Sequence, residues 1–283
     1  MATGKLGFTE SVVESPMADN DTGCERKPGG RSDSEFEKAI RDTCLHLAEL
    51  EQKKLGDLLV EYEDVFVDKS GRLGHTDVAP VHINLKPVSI PYDARAYPAS
   101  PAHFKVIDDY IGTMLEQGII EESDSMWAAP VVLVRKKDNT ACCCIDYHRL
   151  NQMIIPNAYP LPRIDDLLTS LGTAKLSFAS SLDLCKGFLQ LELAKESRHL
   201  TAFITHRGLF SYRRLPMGLC ISPTGFQRAL NTILHSVMPK YCLVYMDDVI
   251  VYSSGDFDNH LEALAQGFSM FQGSRLENET IKV

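Results

Sequence analysis

The sequence predicts an α+β fold whose strands are mostly antiparallel. Two observations carry this reading. Apolar residues recur at helical spacing in several separate stretches, and after residue 118 the chain breaks into short apolar runs of strand length joined by polar connectors. At 283 residues and 31.5 kDa the chain fits one large domain or two small ones. A composition that is 44% hydrophobic and 24% charged supports a sizeable buried core, and no internal repeat suggests a solenoid.

The elements follow in order. Residues 1–34 are rich in Gly, Ser, Asp, Asn and Glu without apolar periodicity, and are expected to form a disordered leader. Ile40, Leu45, Leu47, Leu50, Leu55, Leu58, Leu59 and Tyr62 are spaced helically. The proline-bearing stretch 68–100 reads as an extended, wrapping segment, so 35–99 is expected to precede the main domain, 100–283. Ser100-Pro101 supplies an N-cap and a first helical position. Phe104, Ile107, Ile111, Met114 and Leu115 then form one face, and Gly118 stops the helix. Residues 131–135 and 142–145 predict a hairpin with a basic, mobile tip at 136–141. Residues 163–171 predict a short helix ended by Gly172, and 178–183 a strand that ends in an acid. A strand pair is expected at 199–205 and 209–214, around Arg207-Gly208. Ser222-Pro223 opens a helix carrying Phe226, Leu230, Ile233, Leu234 and Val237. Strands 241–245 and 249–252 flank a tight acidic turn, and a last helix starts near Asp256 with Leu261, Leu264, Phe268 and Phe271.

Net charge is −9, but residues 1–70 hold 9 Lys/Arg against 16 Asp/Glu, whereas 71–283 hold 20 against 22. The acidity sits in the first quarter and does not exclude a nucleic-acid partner. No run of about eighteen apolar residues predicts a membrane span. The first thirty residues lack the apolar core of a secretory signal, and Met-Ala excludes myristoylation. The eight cysteines, at 24, 44, 142–144, 185, 220 and 242, match neither a disulfide framework nor a paired zinc spacing. An intracellular location, cytoplasmic or nuclear, is expected.

The most informative feature is Tyr245-Met246-Asp247-Asp248, two adjacent carboxylates between the apolar runs CLVY and VIVY. Tight hairpin turns favour Gly or Asn, and neighbouring acids repel, so a cation is the natural counterpart; a solvated Asp-Asp turn is the plain alternative. Asp183 ends another apolar strand and could meet this pair at a two-metal site for phosphoryl transfer. Spacing alone leaves open whether the two strands converge. Three consecutive cysteines near His148 fit no common zinc pattern and read better as a buried strand. Asp21-Thr22-Gly23 matches the aspartic-protease tripeptide, but polar neighbours in place of an apolar strand argue against a protease.

A series of stretches over roughly residues 55–270 resembles the reverse transcriptases of gypsy-type LTR retrotransposons. They are LLVEYEDVF (58–66), MLEQGIIEESDSMWAAPVVLVRKKD (114–138), IDYHRLN (145–151), YPLPRIDDLL (159–168), SLDLCKGFLQLEL (181–193), LTAFITHRGLFSYRRLPMGLCISPTGFQ (200–227) and YMDDVIVYS (245–253). The resemblance implies right-hand polymerase fingers and palm with an antiparallel palm sheet. It implies that Asp183, Asp247 and Asp248 are catalytic carboxylates holding two Mg2+ ions, with Mn2+ as an alternative, in RNA-directed DNA polymerisation. Phe188 would be the steric gate that favours deoxynucleotides. Lys136 and Lys137 would contact the incoming triphosphate, Met217 would lie by the base, and Gln227 would open from its helix toward the template. The implied partners are a primed RNA or DNA template and deoxynucleoside triphosphates, with no membrane. For Arg207, Arg213 and Arg214, phosphate contact and solvated strand edges stay equally open.

Three departures bear on activity. Ala141-Cys142 stands where the family carries Trp-Arg, and a thiol cannot replace a guanidinium fork on phosphate. His148 stands where the family carries Arg. After Phe271 only FQGSRLENETIKV without its first residue remains, so the thumb and the RNase H domain are expected to be absent and polymerisation impaired. The alternative reading is a non-catalytic retroelement remnant that binds nucleic acid or protein.

Overall fold

The computed structural model describes residues 47–66, 73–98, 100–135 and 141–282. The leader at 1–34, with its Asp-Thr-Gly, and the hairpin tip with Lys136 and Lys137 lie outside the described residues. The helices used below are α1 (Glu49–Glu61), α2 (Pro101–Glu116), α3 (His148–Met153), α4 (Ile164–Thr173), α5 (Ser222–Ile233) and α6 (Phe257–Ser274). The strands are β1 (Thr76–Val81), β2 (Ile120–Glu122), β3 (Ala129–Arg135), β4 (Ala141–Ile145), β5 (Phe178–Leu184), β6 (Leu191–Leu193), β7 (Phe203–Thr205), β8 (Gly208–Tyr212), β9 (Cys242–Tyr245), β10 (Asp248–Ser253) and β11 (Asn278–Lys282).

The strands form two main sheets and a small third one. The palm sheet has the order β11-β5-β10-β9 and is antiparallel throughout. The fingers sheet has the order β2-β8-β7-β3-β4, with only β3 and β7 parallel. A short parallel pair, β1 with β6, makes up the rest. The α+β expectation holds in this pattern. β11 was not legible in the sequence, because Asn-Glu-Thr-Ile-Lys has no apolar run. It is a strand because β5 offers it an edge, with Ile281 opposite Leu182.

Period-2 alternation explains how the palm sheet is covered. On β5, Ser180, Leu182 and Leu184 are buried; on β10, Val249 and Val251 are buried. The apolar ones, Leu182, Leu184, Val249 and Val251, share one core with Phe226 and Leu230 of α5 and Leu264, Phe268 and Phe271 of α6. Residues at the intervening positions, Ser181 and Asp183 on β5 and Asp248 on β10, are left on the other face. Truncating a ring such as Phe268, fully buried, to Ala would cost about 3–5 kcal/mol.

The helix starts follow local chemistry. The Ser100 hydroxyl accepts from the His103 N–H at 3.3 Å ahead of Pro101, and Asp256 caps α6 by accepting from the Asn259 N–H at 3.0 Å. Gly118, at φ +63°, ends α2 as expected. Gly172 does not end α4, which runs on to Thr173, since glycine tolerates helical geometry and the exit comes at Ala174. Of the residues that predict the N-terminal helix, Ile40 and Leu45 lie outside the described residues; α1 begins at Glu49, just after Leu47, and packs on the palm. Leu55 and Leu59 are buried, and the Tyr62 and Phe66 rings meet Phe268 with centroids 5.5 and 5.6 Å apart. Tyr62 Oη also lies 3.1 Å from Ser269 Oγ, and Gln272 donates to Asp64 at 2.8 Å. No helix among the described residues is long and apolar enough to cross a membrane.

Candidate active site

The β5–β10 register sets Asp183 directly opposite Asp248. Both belong to the alternation set that faces away from α5 and α6, so their carboxylates share a face at one end of the sheet. Asp247 sits beside them in the two-residue turn, Met246-Asp247, that joins β9 to β10. The two strands thus converge, which residue spacing alone left open. Partial burial, and then the charge of Asp247, push the Asp248 carboxyl above its ordinary range. Among the described residues, no group of three or more His, Cys, Asp or Glu side chains is gathered into a preformed chelating cluster. An acid-rich strand end of this kind suits a divalent ion whose remaining ligands come from substrate phosphates and water.

The turn itself is strained. Met246 has φ +53°, a left-handed conformation that hairpin turns usually give to Gly or Asn. Gln227 of α5 offsets it. Its Oε1 accepts the Met246 N–H at 2.8 Å, while its Nε2 donates to Val244 O at 3.2 Å and to Asn231 Oδ1 at 2.9 Å. Gln227 is fully buried, so the expectation that it opens toward a template is corrected: the side chain turns inward because the turn offers it an amide.

Phe226, the preceding residue, meets Phe188 with ring centroids 4.9 Å apart. Phe188 is half-buried on the short 3-10 turn Gly187–Gln190 that follows β5 and the left-handed Lys186 at φ +45°. A Cβ on Gly187 would come within 2.5 Å of Phe226 Cζ, so only glycine lets the turn lie this close to α5. Two consecutive residues of α5 therefore brace Phe188 on one side and the acidic turn on the other.

Met217 is exposed on the loop between β8 and α5. Asn151 of α3 holds that loop: its Nδ2 donates to Gly218 O at 2.8 Å, and its Oδ1 accepts the Cys220 N–H at 2.8 Å. Neither Asn151 nor Asn231 stood out from the sequence. Asn151 lies in the matched stretch IDYHRLN, which was the available signal.

Arg214 is half-buried and donates to Gly74 O at 2.8 Å, so it ties the N-terminal segment to the palm. Arg213 lies 3.6 Å from Glu121 and Arg207 lies 3.8 Å from Asp108. β4 is the edge of the fingers sheet, so the expected buried cysteine strand is only partly buried. Cys144 is exposed, and burial pushes the Cys143 thiol up to about 12. His148 is exposed, with Nδ1 2.6 Å from Asp146.

An antiparallel four-stranded sheet backed by two helices, with acids paired across its central strands, together with a second sheet of five strands, defines the fingers and palm of a nucleotide polymerase. The family model described as "Reverse transcriptase (RNA-dependent DNA polymerase)" matches residues 134–282. A Drosophila melanogaster relative, the retrovirus-related Pol polyprotein from transposon 297, is 34% identical over 237 residues, 82% of this chain and 22% of that one. The corresponding polyprotein from transposon gypsy, also from Drosophila melanogaster, is 37% identical over 175 residues, 60% of this chain and 17% of its own length. A crystal structure of the prototype foamy virus protease-reverse transcriptase superposes with a TM-score of 0.76 at 25% identity, covering 88% of this chain and 33% of that one. The chain belongs to the reverse transcriptase family. It spans about a fifth of the polyproteins it matches.

Proposed function

We propose that this chain is the fingers and palm of an RNA-directed DNA polymerase that extends a primer on an RNA or DNA template with deoxynucleoside triphosphates. The observation that carries the reading is the register of Asp183 against Asp248, with Asp247 in the adjoining turn. Asp183, Asp247 and Asp248 would hold divalent magnesium, or manganese. When bound, such ions lower the barrier by favouring the ionised primer 3′-hydroxyl and stabilising charge on the leaving pyrophosphate. The chain's own residues do the positioning. Gln227 fixes the turn that presents Asp247, and Phe188, braced by Phe226, would close off the space of a ribose 2′-hydroxyl. Met217 would meet the base on a loop that Asn151 pins. Lys136 and Lys137 would reach the triphosphate from the fingers hairpin.

The test is primer extension on an annealed RNA template with Mg2+, beside Asp247→Asn. Extension that disappears in the variant supports the reading. A folded chain that binds template and extends nothing sinks it.

A second reading, a non-catalytic module that binds nucleic acid, is favoured by Cys142. This thiol stands on β4 opposite Val134, where the family's arginine would grip phosphate.

A further inference from the structure

Three hydrogen bonds lead away from the strained acidic turn through the protein to a segment with no sequence continuity to it. The Met246 N–H can only donate, so it fixes Oε1 of Gln227 as the acceptor at 2.8 Å. Nε2 of Gln227 must then donate, and one of its acceptors is Asn231 Oδ1 at 2.9 Å. That orients the second amide in turn, so that Asn231 Nδ2 donates to Tyr159 Oη at 2.6 Å. Tyr159 is itself held: its N–H donates to Asn157 Oδ1 at 3.1 Å, within the proline-bearing stretch between α3 and α4. The Met246 N–H and the Val244 carbonyl, which accepts from Nε2 at 3.2 Å, set the orientation of the Gln227 amide, and a flip of Asn231 would bring its Nδ2 against Gln227 Nε2, two donors face to face.

We propose that Asn231 and Tyr159 are positioning residues for the catalytic turn, acting through Gln227. Neither touches a reacting atom. They hold the Gln227 amide in the place from which its Oε1 reaches the Met246 N–H, and so help keep a non-glycine residue in the left-handed conformation that sets Asp247. What the turn does when so held rests on the polymerase reading; the relay does not. Tyr159 enters as an acceptor, so its hydroxyl is the part that matters, and its ring serves only to place it.

Tyr159→Phe keeps the ring and removes the hydroxyl, and Asn231→Leu removes the central link. In the full chain, amide hydrogen exchange by NMR is read at Met246 and, as internal controls, at Leu182 and Val249 in the same sheet. Both variants are expected to raise exchange at Met246 about tenfold, equivalent to about 1.4 kcal/mol, the scale of one neutral hydrogen bond, with the controls unchanged. In primer extension, kcat should fall with little change in the KM for deoxynucleotide, as expected when a reacting group loses its position while binding is retained. A merely structural role would raise exchange at all three amides together, and that result overturns the proposal. So does unchanged exchange at Met246 in both variants. If Met246 responds but the wild-type chain extends no primer, the relay stands and the polymerase reading falls.

Discussion

Asp183 on β5 and Asp248 on β10 are cross-strand partners in the central pair of the palm sheet, and each occupies the position next to a buried apolar residue that is itself paired, Leu182 with Val249. The same alternation that buries Leu182 and Val249 under α5 and α6 sets the two acids together on the open face. Like charges opposite each other weaken a sheet, so this pairing is a local sacrifice of stability in an otherwise well-packed sheet.

That sacrifice is measurable. With partial burial and the neighbouring Asp247 both disfavouring ionised Asp248, its folded-state pKa lies above the unfolded value. The ionised acid therefore destabilises the fold at neutral pH, and the penalty vanishes as pH falls and the carboxyl protonates. Asp248→Asn should raise Tm at pH 7 without divalent ions. Saturating Mn2+ should narrow or reverse the difference. Calorimetry with and without the ion checks both; a variant that melts below wild type in metal-free buffer would contradict the account.

His260 predicts an acid-sensitive core. It is fully buried on α6, with Nε2 2.7 Å from Ser180 Oγ and Nδ1 3.1 Å from Ser253 Oγ, and burial pushes its pKa down to about 4. The unfolded chain takes up a proton near pH 6.5, whereas the fold resists until about pH 4. Its contribution is intact above pH 6.5 and is lost progressively as pH falls to about 4, with an upper limit of about 3 kcal/mol. His260→Gln should flatten the fall in urea stability over that window, even if it lowers stability at pH 7. An equally steep fall in the variant would place the acid sensitivity elsewhere.

Gly187→Ala tests the brace behind Phe188. The new Cβ would meet the fully buried Phe226 ring at 2.5 Å, and a ring in that setting has nowhere to go. The expected cost is about 1–3 kcal/mol, the usual range for overpacking. If Phe188 screens the sugar, the displaced turn should also relax discrimination against ribonucleotides, which competitive incorporation measures. Lost stability with unchanged discrimination would separate the brace from the gate.

Cys142→Arg restores a guanidinium on the fingers edge strand. In a chain that polymerises, it should lower the KM for deoxynucleotide roughly tenfold, the scale of one charge-assisted contact, while kcat changes less. Steady-state extension at varied nucleotide concentration checks it. No change in KM would mean that β4 does not approach the triphosphate.

Much of the fold could be read from local chemistry. Ser100-Pro101, Asp256 and Gly118 mark helix ends by interactions that need only their immediate neighbours, and CLVY and VIVY declare strands whatever they pair with. β11 could not be read, because Asn-Glu-Thr-Ile-Lys becomes a strand only through the edge of β5. Asn231 was silent for a similar reason, and Tyr159, although it opens the matched stretch 159–168, gave no sign of its role: an amide and a phenol show no partner until another element supplies one. Gln227 shows the boundary most clearly. Its place in a matched motif marked it as functional, yet the direction of its side chain depends on an unpaired amide nineteen residues away in sequence.

The sequence by itself determined the order of elements, the acidic turn and the three carboxylates, since apolar periodicity and residue type are local properties. Only the tertiary structure decided that Asp183 lies opposite Asp248, that Gln227 points inward to Met246, and that α1 packs against α6. Register and side-chain direction are set by which surfaces can be buried together and which donors find acceptors, and both are settled between segments far apart in the chain.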